Sequence, residues 1–172
     1  MKKSYITQAE LRELFSYNED GSFTRLVKTG KTTHVGQIVF GSVHKDGYAL
    51  LRANIVKYRA HRLVWIYHNG DIPDGLNIDH INGIRTDNRI ENIRLATKAE
   101  NAQNTIKKSN NSSGYMGVFW DTKSKKWRAQ ICHNLKVIHI GRFNCPKEAH
   151  EAYLKKKAEL HTFNPVPRDQ IS

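Results

Sequence analysis

Residues 78–104 read IDHINGIRTDNRIENIRLATKAENAQN, and this stretch decides the fold. Residues 76–79 read as a strand, 80–91 as a polar loop, and 93–96 as a second strand. Thr97 and Glu100 form a T-x-x-E box, so a helix should open there and run to about Lys107. The unit is strand, loop, strand, helix. Within the loop, Asn88 sits in Asp87-Asn88-Arg89, where a turn-forming role is expected.

Upstream, Thr7 and Glu10 make a first capping box, and Leu11, Leu14 and Phe15 share one helical face, with Gly21 ending the helix in a turn. Residues 23–27, 37–40, 48–53 and 57–59 read as short strands, with a turn at Asp46-Gly47. The compact apolar block HRLVWIYH, residues 61–68, suits a short buried helix stopped by Asn69-Gly70. Its two histidines, His61 and His68, read as structural, with His61 also a candidate for metal or phosphate contact.

Downstream, residues 108–114 (KSNNSSG) have the small, polar composition of a linker. Residues 115–120, 126–132 and 136–140 then read as three alternating strands, and Pro146 opens a helix through about Leu160. Residues 164–167 (NPVP) begin a loose tail.

Charge separates these regions. The 172 residues carry a formal net charge of +12. Residues 107–157 hold 12 Lys/Arg against 3 Asp/Glu, whereas 1–106 hold 15 against 11, so most of the excess lies in the C-terminal third. A cationic module interleaved with Tyr115, Phe119, Trp120, Trp127 and Phe143 has the apolar content to fold and the charge to attract a polyanion such as nucleic acid. A basic globule without such a partner is the plainer alternative. The two cysteines, Cys132 and Cys145, form no C-x-x-C pair, which excludes a four-cysteine zinc site and a disulfide framework. No apolar run approaches the roughly 20 residues of a membrane span, and no hydrophobic signal core follows Met1, so no membrane partner and a cytoplasmic location are expected.

In order and spacing, the 78–104 segment resembles the active-site motif of HNH endonucleases, in the homing-type branch whose opening pair is Asp-His. Asp79-His80 is followed by Asn92 twelve residues after the histidine and by Asn101 nine further on. The resemblance implies a ββα-metal finger in which His80 is the general base and Asn92 pins the loop and orients that base. Asp79 and Asn101 are by the same resemblance the metal ligands. A carboxylate and a carboxamide suit one Mg²⁺, or Mn²⁺, that completes its shell with water and phosphate oxygens. Arg85, Arg89, Arg94 and Lys98 are each as readily solvated surface charges as phosphate contacts.

Residues 113–160 resemble the Apetala-two/ethylene-response-factor DNA-binding domain, through Tyr115, Gly117-Val118, Trp127-x-Ala129-x-Ile131, Ile140-Gly141-x-Phe143, Glu148-Ala149 and Ala152-Tyr153. In that family a three-stranded sheet lies in the DNA major groove with a helix behind it. Alternation turns Trp127, Ala129, Ile131, Ile138 and Ile140 toward the helix and Arg128, Gln130, Cys132 and His139 outward. Arg128, Gln130 and His139, with Lys126 and Arg142, are the DNA-contacting candidates. Met116, Phe119, Cys132 and Val137 depart from the arginines common in that family.

The expected fold is α+β: an HNH finger with an N-terminal α/β scaffold, linked to a three-stranded antiparallel sheet plus helix. The expected divisions are 1–60 scaffold, 61–107 nuclease core, 108–114 linker, 115–163 DNA-binding domain and 164–172 tail. The expected activity is hydrolysis of double-stranded DNA, as a nick or a break, by an enzyme of phage or mobile-element origin acting in the cytoplasm of a bacterial host. The competing reading is a non-catalytic DNA-binding regulator built on a nuclease scaffold. A monomer is compatible with either.

Overall fold

The computed structural model describes residues 6–103, 111–134, 136–161 and 163. The chain divides into two compact units, Met1–Thr97 and Lys98–Ser172.

In the first unit, helix α1 (Gln8–Leu14) begins at the expected capping box: Thr7 Oγ1 accepts from the Glu10 N–H, and the Glu10 carboxylate accepts from the Thr7 N–H. The helix ends earlier than Gly21. At Phe15 the chain turns extended into strand β1 (Phe15–Tyr17), paired antiparallel with β2 (Phe23–Arg25). The reason is tertiary: Phe15 and Phe23 are fully buried, with rings 5.6 Å apart, a contact that hairpin pairing allows. Gly21 occupies the hairpin turn instead, at φ +84°.

Strand β3 (Ile38–Val39) pairs with β2 and is shorter than residues 37–40. Strand β4 (Ser42–Val43), which the sequence pattern did not mark, pairs with β5 (Ala49–Ala53) across the Asp46-Gly47 turn, and β5 pairs with β6 (Val56–Arg59). Helix α2 (Ala60–Asn69) follows and stops at Gly70, φ +76°. Strands β7 (Asn77–His80) and β8 (Ile93–Ala96) form an antiparallel pair with a 3-10 turn, Ile90–Asn92, leading into β8. One apolar core runs through all of this: Leu11, Phe15, Phe23, Leu51, Leu63, Val64, Ile66, Ile78 and Ile93 share it. Packing β7 and β8 into that core ties the 80–91 loop to the N-terminal hairpins.

The second unit opens with helix α3 (Lys98–Gln103). The expected continuation to Lys107, residues 108–110 of the expected linker and the 164–172 tail lie outside the described residues. Strands β9 (Val118–Asp121), β10 (Lys126–His133) and β11 (Lys136–Phe143) form an antiparallel sheet in the order β11-β10-β9. Residues 115–117 precede the first strand rather than joining it. At Gly117 (φ +75°) any Cβ would fall inside the Tyr153 ring, so the chain must pass there as glycine. Helix α4 (Pro146–Leu160) packs against the sheet, and Val118, Ala129 and Ala149 form the centre of its core with Trp127, Ile140 and Phe143 around them. A bulge between Ala129 and Gln130 sets Gln130 opposite His139.

Candidate active site

Strand β7 delivers two adjacent polar residues into a buried setting: Asp79 is 7% exposed and His80 4%. In the β7–β8 register Asp79 stands opposite Arg94 and His80 opposite Ile93. Directly opposed side chains in an antiparallel pair meet. Arg94 accordingly donates from Nε (3.1 Å) and Nη2 (3.0 Å) to Asp79 Oδ2. Arg94 is thus a structural partner of the acidic residue, a role that sequence spacing did not separate from surface charge.

His80 Nε2 lies 3.1 Å from Asn88 Oδ1, and Asn88 is itself buried. With Asn88 Oδ1 as the acceptor, Nε2–H is the donor, and in that tautomer of the neutral ring Nδ1 is the basic nitrogen. Burial pushes the His80 imidazole below its ordinary value, opposed by the Asn88 hydrogen bond and the charges of Asp79 and Asp87. A neutral, tautomer-selected imidazole is the form a general base requires. Asn88, expected only to form a turn, is the residue that bonds to His80.

Asn92 pins the loop that carries Asn88. Its Oδ1 accepts from the Asn82 N–H (3.0 Å), and its Nδ2 donates to Asn82 Oδ1 (3.0 Å) and Asp87 O (2.8 Å). Asp87 in turn accepts from Asn82 Nδ2 at 2.7 Å and from Arg89 Nε and Nη2, each at 2.8 Å. The Arg89 hydrogen bond, and then Asn82, hold the Asp87 carboxyl down to about 2. From the far side, the Gly21 turn packs so closely that a Cβ there would lie 2.6 Å from the Asn88 carbonyl carbon. Tyr17 Oη accepts from the Ile90 N–H at 3.0 Å. The loop is therefore clamped between its own asparagines and the β1–β2 hairpin.

His61, in the first turn of α2, is also at this centre. It is 4% exposed, and its ring meets His80 edge to face with centroids 5.0 Å apart. Tyr48 packs on both, 5.1 Å from His61 and 5.9 Å from His80. Burial, then the proximity of His80 and of Arg59 and Arg62, takes the His61 imidazole down to about 3, so it is neutral across the physiological range. Its Nδ1 is buried without a hydrogen-bond partner. The periodicity of 61–68 reports burial of the helix but not which strand end it faces. His68, at the other end of α2, is structural as expected: its ring packs on Tyr17 and Tyr67.

Asn101 lies on α3, in the second unit. Among the described residues no group of three or more His, Cys, Asp or Glu side chains could hold a metal ion. The donors expected for an ion, the Asp79 carboxylate and the Asn101 carboxamide, are oxygens, the kind that hard divalent cations take.

In the second unit Ala129 and Ile131 are buried and Cys132 and His139 exposed, while the DNA-contact candidates Arg128 and Gln130 are half-buried. The candidates differ in their engagement. Arg142 Nε donates to Asp121 Oδ2 at 3.0 Å, which holds the Asp121 carboxyl well below the usual range. Lys126 stands opposite Asp121, and Arg128 stands between Phe119 and Arg142 with its Nε buried and without a hydrogen-bond partner. Gln130 lines a cleft with Ala102, Gln103, Phe119 and Val137.

Residues 58–103 match the family model described as HNH endonuclease. The chain is 38% identical over 73 residues to Protein 3.8 of Escherichia phage T7, covering 42% of this chain and 60% of that protein. It is 34% identical over 61 residues to YosQ of Bacillus subtilis (strain 168), a SPbeta prophage-derived protein whose name places it with HNH homing endonucleases; this covers 36% of this chain and 35% of YosQ. The chain spans less than two thirds of either relative. A solved structure described as DNA binding and cleavage by the HNH homing endonuclease I-HmuI is 26% identical with a TM-score of 0.40, covering 52% of this chain and 50% of that one. Over residues 58–103, then, this chain is similar to the HNH endonuclease family.

Proposed function

We propose that the protein is a divalent-metal-dependent DNA endonuclease in which His80 is the general base. The observation that carries this is the Asn88–His80 hydrogen bond, which leaves Nδ1 of a buried, neutral imidazole as the basic atom. His80 Nδ1 takes a proton from water, the water oxygen forms a bond to phosphorus, and the bond from phosphorus to the leaving oxygen breaks. Asp79 and Asn101 would hold the ion, which supplies stabilisation of negative charge on the leaving oxygen. Asn92 holds the 82–87 segment and through it the Asn88 acceptor; its part is positioning rather than chemistry. We further propose that the sheet of the second unit, Apetala-two-like in its sequence signposts, grips double-stranded DNA through Arg128, Gln130, His139, Lys126 and Arg142, with 108–114 as the linker before it. Its basic charge supplies sequence-independent affinity, while base-edge contacts supply preference.

A second reading, a DNA-binding regulator on a nuclease scaffold, draws on one observation: Arg94 Nε and Nη2 both donate to Asp79 Oδ2. A supercoiled-plasmid assay separates the two. Conversion to nicked or linear product with Mg²⁺, lost with EDTA and lost in His80→Ala, is the expected result. DNA binding without cleavage under any divalent ion would support the regulator.

A further inference from the structure

Beside His80 stands an arrangement the hydrolytic site does not use. The guanidinium carbons of Arg59 and Arg85 lie 4.3 and 4.9 Å from the centroid of one ring, that of Tyr48. Arg59 arrives at the end of β6 and Arg85 from the 80–91 loop, so two segments far apart in sequence bring like charges to a single aromatic platform. Their anchors are shared as well. Arg59 Nη2 donates to Asp46 Oδ2 at 2.8 Å, and Arg85 Nη1 to the Asp46 carbonyl at 2.6 Å. Asp46 also takes His44 Nδ1 at 3.0 Å, and the His44 hydrogen bond leads in holding its carboxyl below the ordinary range. The Asp46 carboxylate thus meets Arg59 and His44, while Arg85 bonds only to the Asp46 backbone carbonyl. Each guanidinium offers five donors in a planar fork and commits one to Asp46.

Holding two cations together costs energy in the free protein unless a polyanion completes the site, and a planar fork stacked on an aromatic ring is pre-organised for phosphate oxygens. The placement narrows which phosphate. Tyr48 also packs on His80 at 5.9 Å, so the pair sits at most about three nucleotide rises from the base along one strand. That is near enough to hold a phosphate neighbouring the one that His80 serves. We propose that Arg59 and Arg85, stacked on Tyr48, clamp a backbone phosphate flanking the scissile one and thereby set the position of the strand against His80. This rests on the nuclease reading for the identity of the strand, though not for the anion chemistry of the site.

The test uses the full-length protein and a DNA duplex, with binding measured across salt concentration in EDTA and cleavage measured in Mg²⁺. Arg59→Gln/Arg85→Gln should lower the magnitude of the log affinity against log salt slope by about 0.9, for the one phosphate given up, and each single variant should lower it by part of that. Each should raise KM more than it lowers kcat. Methylphosphonate substitution, scanned through the strand, should find a position that weakens wild-type binding but adds nothing in Arg59→Gln/Arg85→Gln. Arg85→Lys, which keeps the charge and loses the fork, should retain the salt slope while raising KM, and thermal melting verifies folding of each variant. An unchanged slope in both single variants overturns the clamp, as does a methylphosphonate penalty equal in wild type and double variant. If the wild type binds but never cleaves, the nuclease reading fails while the EDTA binding arm still decides the clamp.

Discussion

Replacing Asn88 tests the assignment of His80 most directly, because two substitutions should move the same group in opposite directions. In Asn88→Ala the His80 Nε2–H loses its acceptor at 3.1 Å inside a buried site. Leaving a buried donor unsatisfied costs about 1–3 kcal/mol, and with the acceptor gone the ring no longer favours the tautomer whose Nδ1 is basic. Transferred to the barrier, that is a loss of roughly 5- to 150-fold in kcat. The Asn88 bond also raises the His80 imidazole against the downward pull of burial. Its removal should therefore move the acid limb of the pH–rate profile to lower pH while the plateau falls. Asn88→Asp keeps an acceptor and adds a negative charge next to the ring, which favours the imidazolium and should move the acid limb to higher pH with a smaller loss at the plateau. The assay is plasmid nicking at saturating DNA and Mg²⁺ from about pH 5 to 9, with melting curves to confirm that each variant is folded. Wild-type rates with an unmoved acid limb in both variants would refute the role given to Asn88 and, with it, Nδ1 as the base.

Asp79→Ala and His80→Ala should each abolish cleavage with DNA affinity largely retained, read by nicking and by equilibrium binding; wild-type nicking by His80→Ala would remove it as the base. Gly21→Ala should lower the melting temperature and impair cleavage together, since φ +84° adds about 1–2 kcal/mol of strain and the new Cβ meets the Asn88 backbone that places His80's partner. His61 stays neutral in the fold down to about 3. The unfolded chain takes up that proton near 6.5, so stability should fall as pH drops through the window from 6.5 to 3, by up to about 1.36 kcal/mol per unit. His61→Leu should flatten that acid slope in denaturant titrations, and an unchanged slope would show that His61 already ionises in the folded state. A chain ending at Asn110 should still cleave, weakly, with a flatter salt dependence and broader site preference; unchanged affinity, slope and cleavage pattern in a folded fragment would show that the second unit is not the DNA grip.

Local chemistry was legible in the sequence. The Thr7–Glu10 capping box, the Pro146 start of α4, the β7–β8 pair and the faces of β10 follow from hydrogen bonding and alternation over a few residues, where the side chains that decide are neighbours in the chain. The Asp-His pair and Asn92 were legible for the same reason, as a spacing within one segment. What tertiary structure alone decided is which distant side chains meet there. Phe15 left the helical pattern for a strand because Phe23 buries it, and Gly21 became a support for Asn88 rather than a helix stop. His61 and Tyr48 came to His80 from a helix and a hairpin whose own periodicities record only that they are buried. Arg94 was bound to Asp79 by strand register, and Arg59 and Arg85 were gathered on one ring by packing. Periodicity reports whether a residue faces a core; only the docking of elements onto that core determines which side chain it faces.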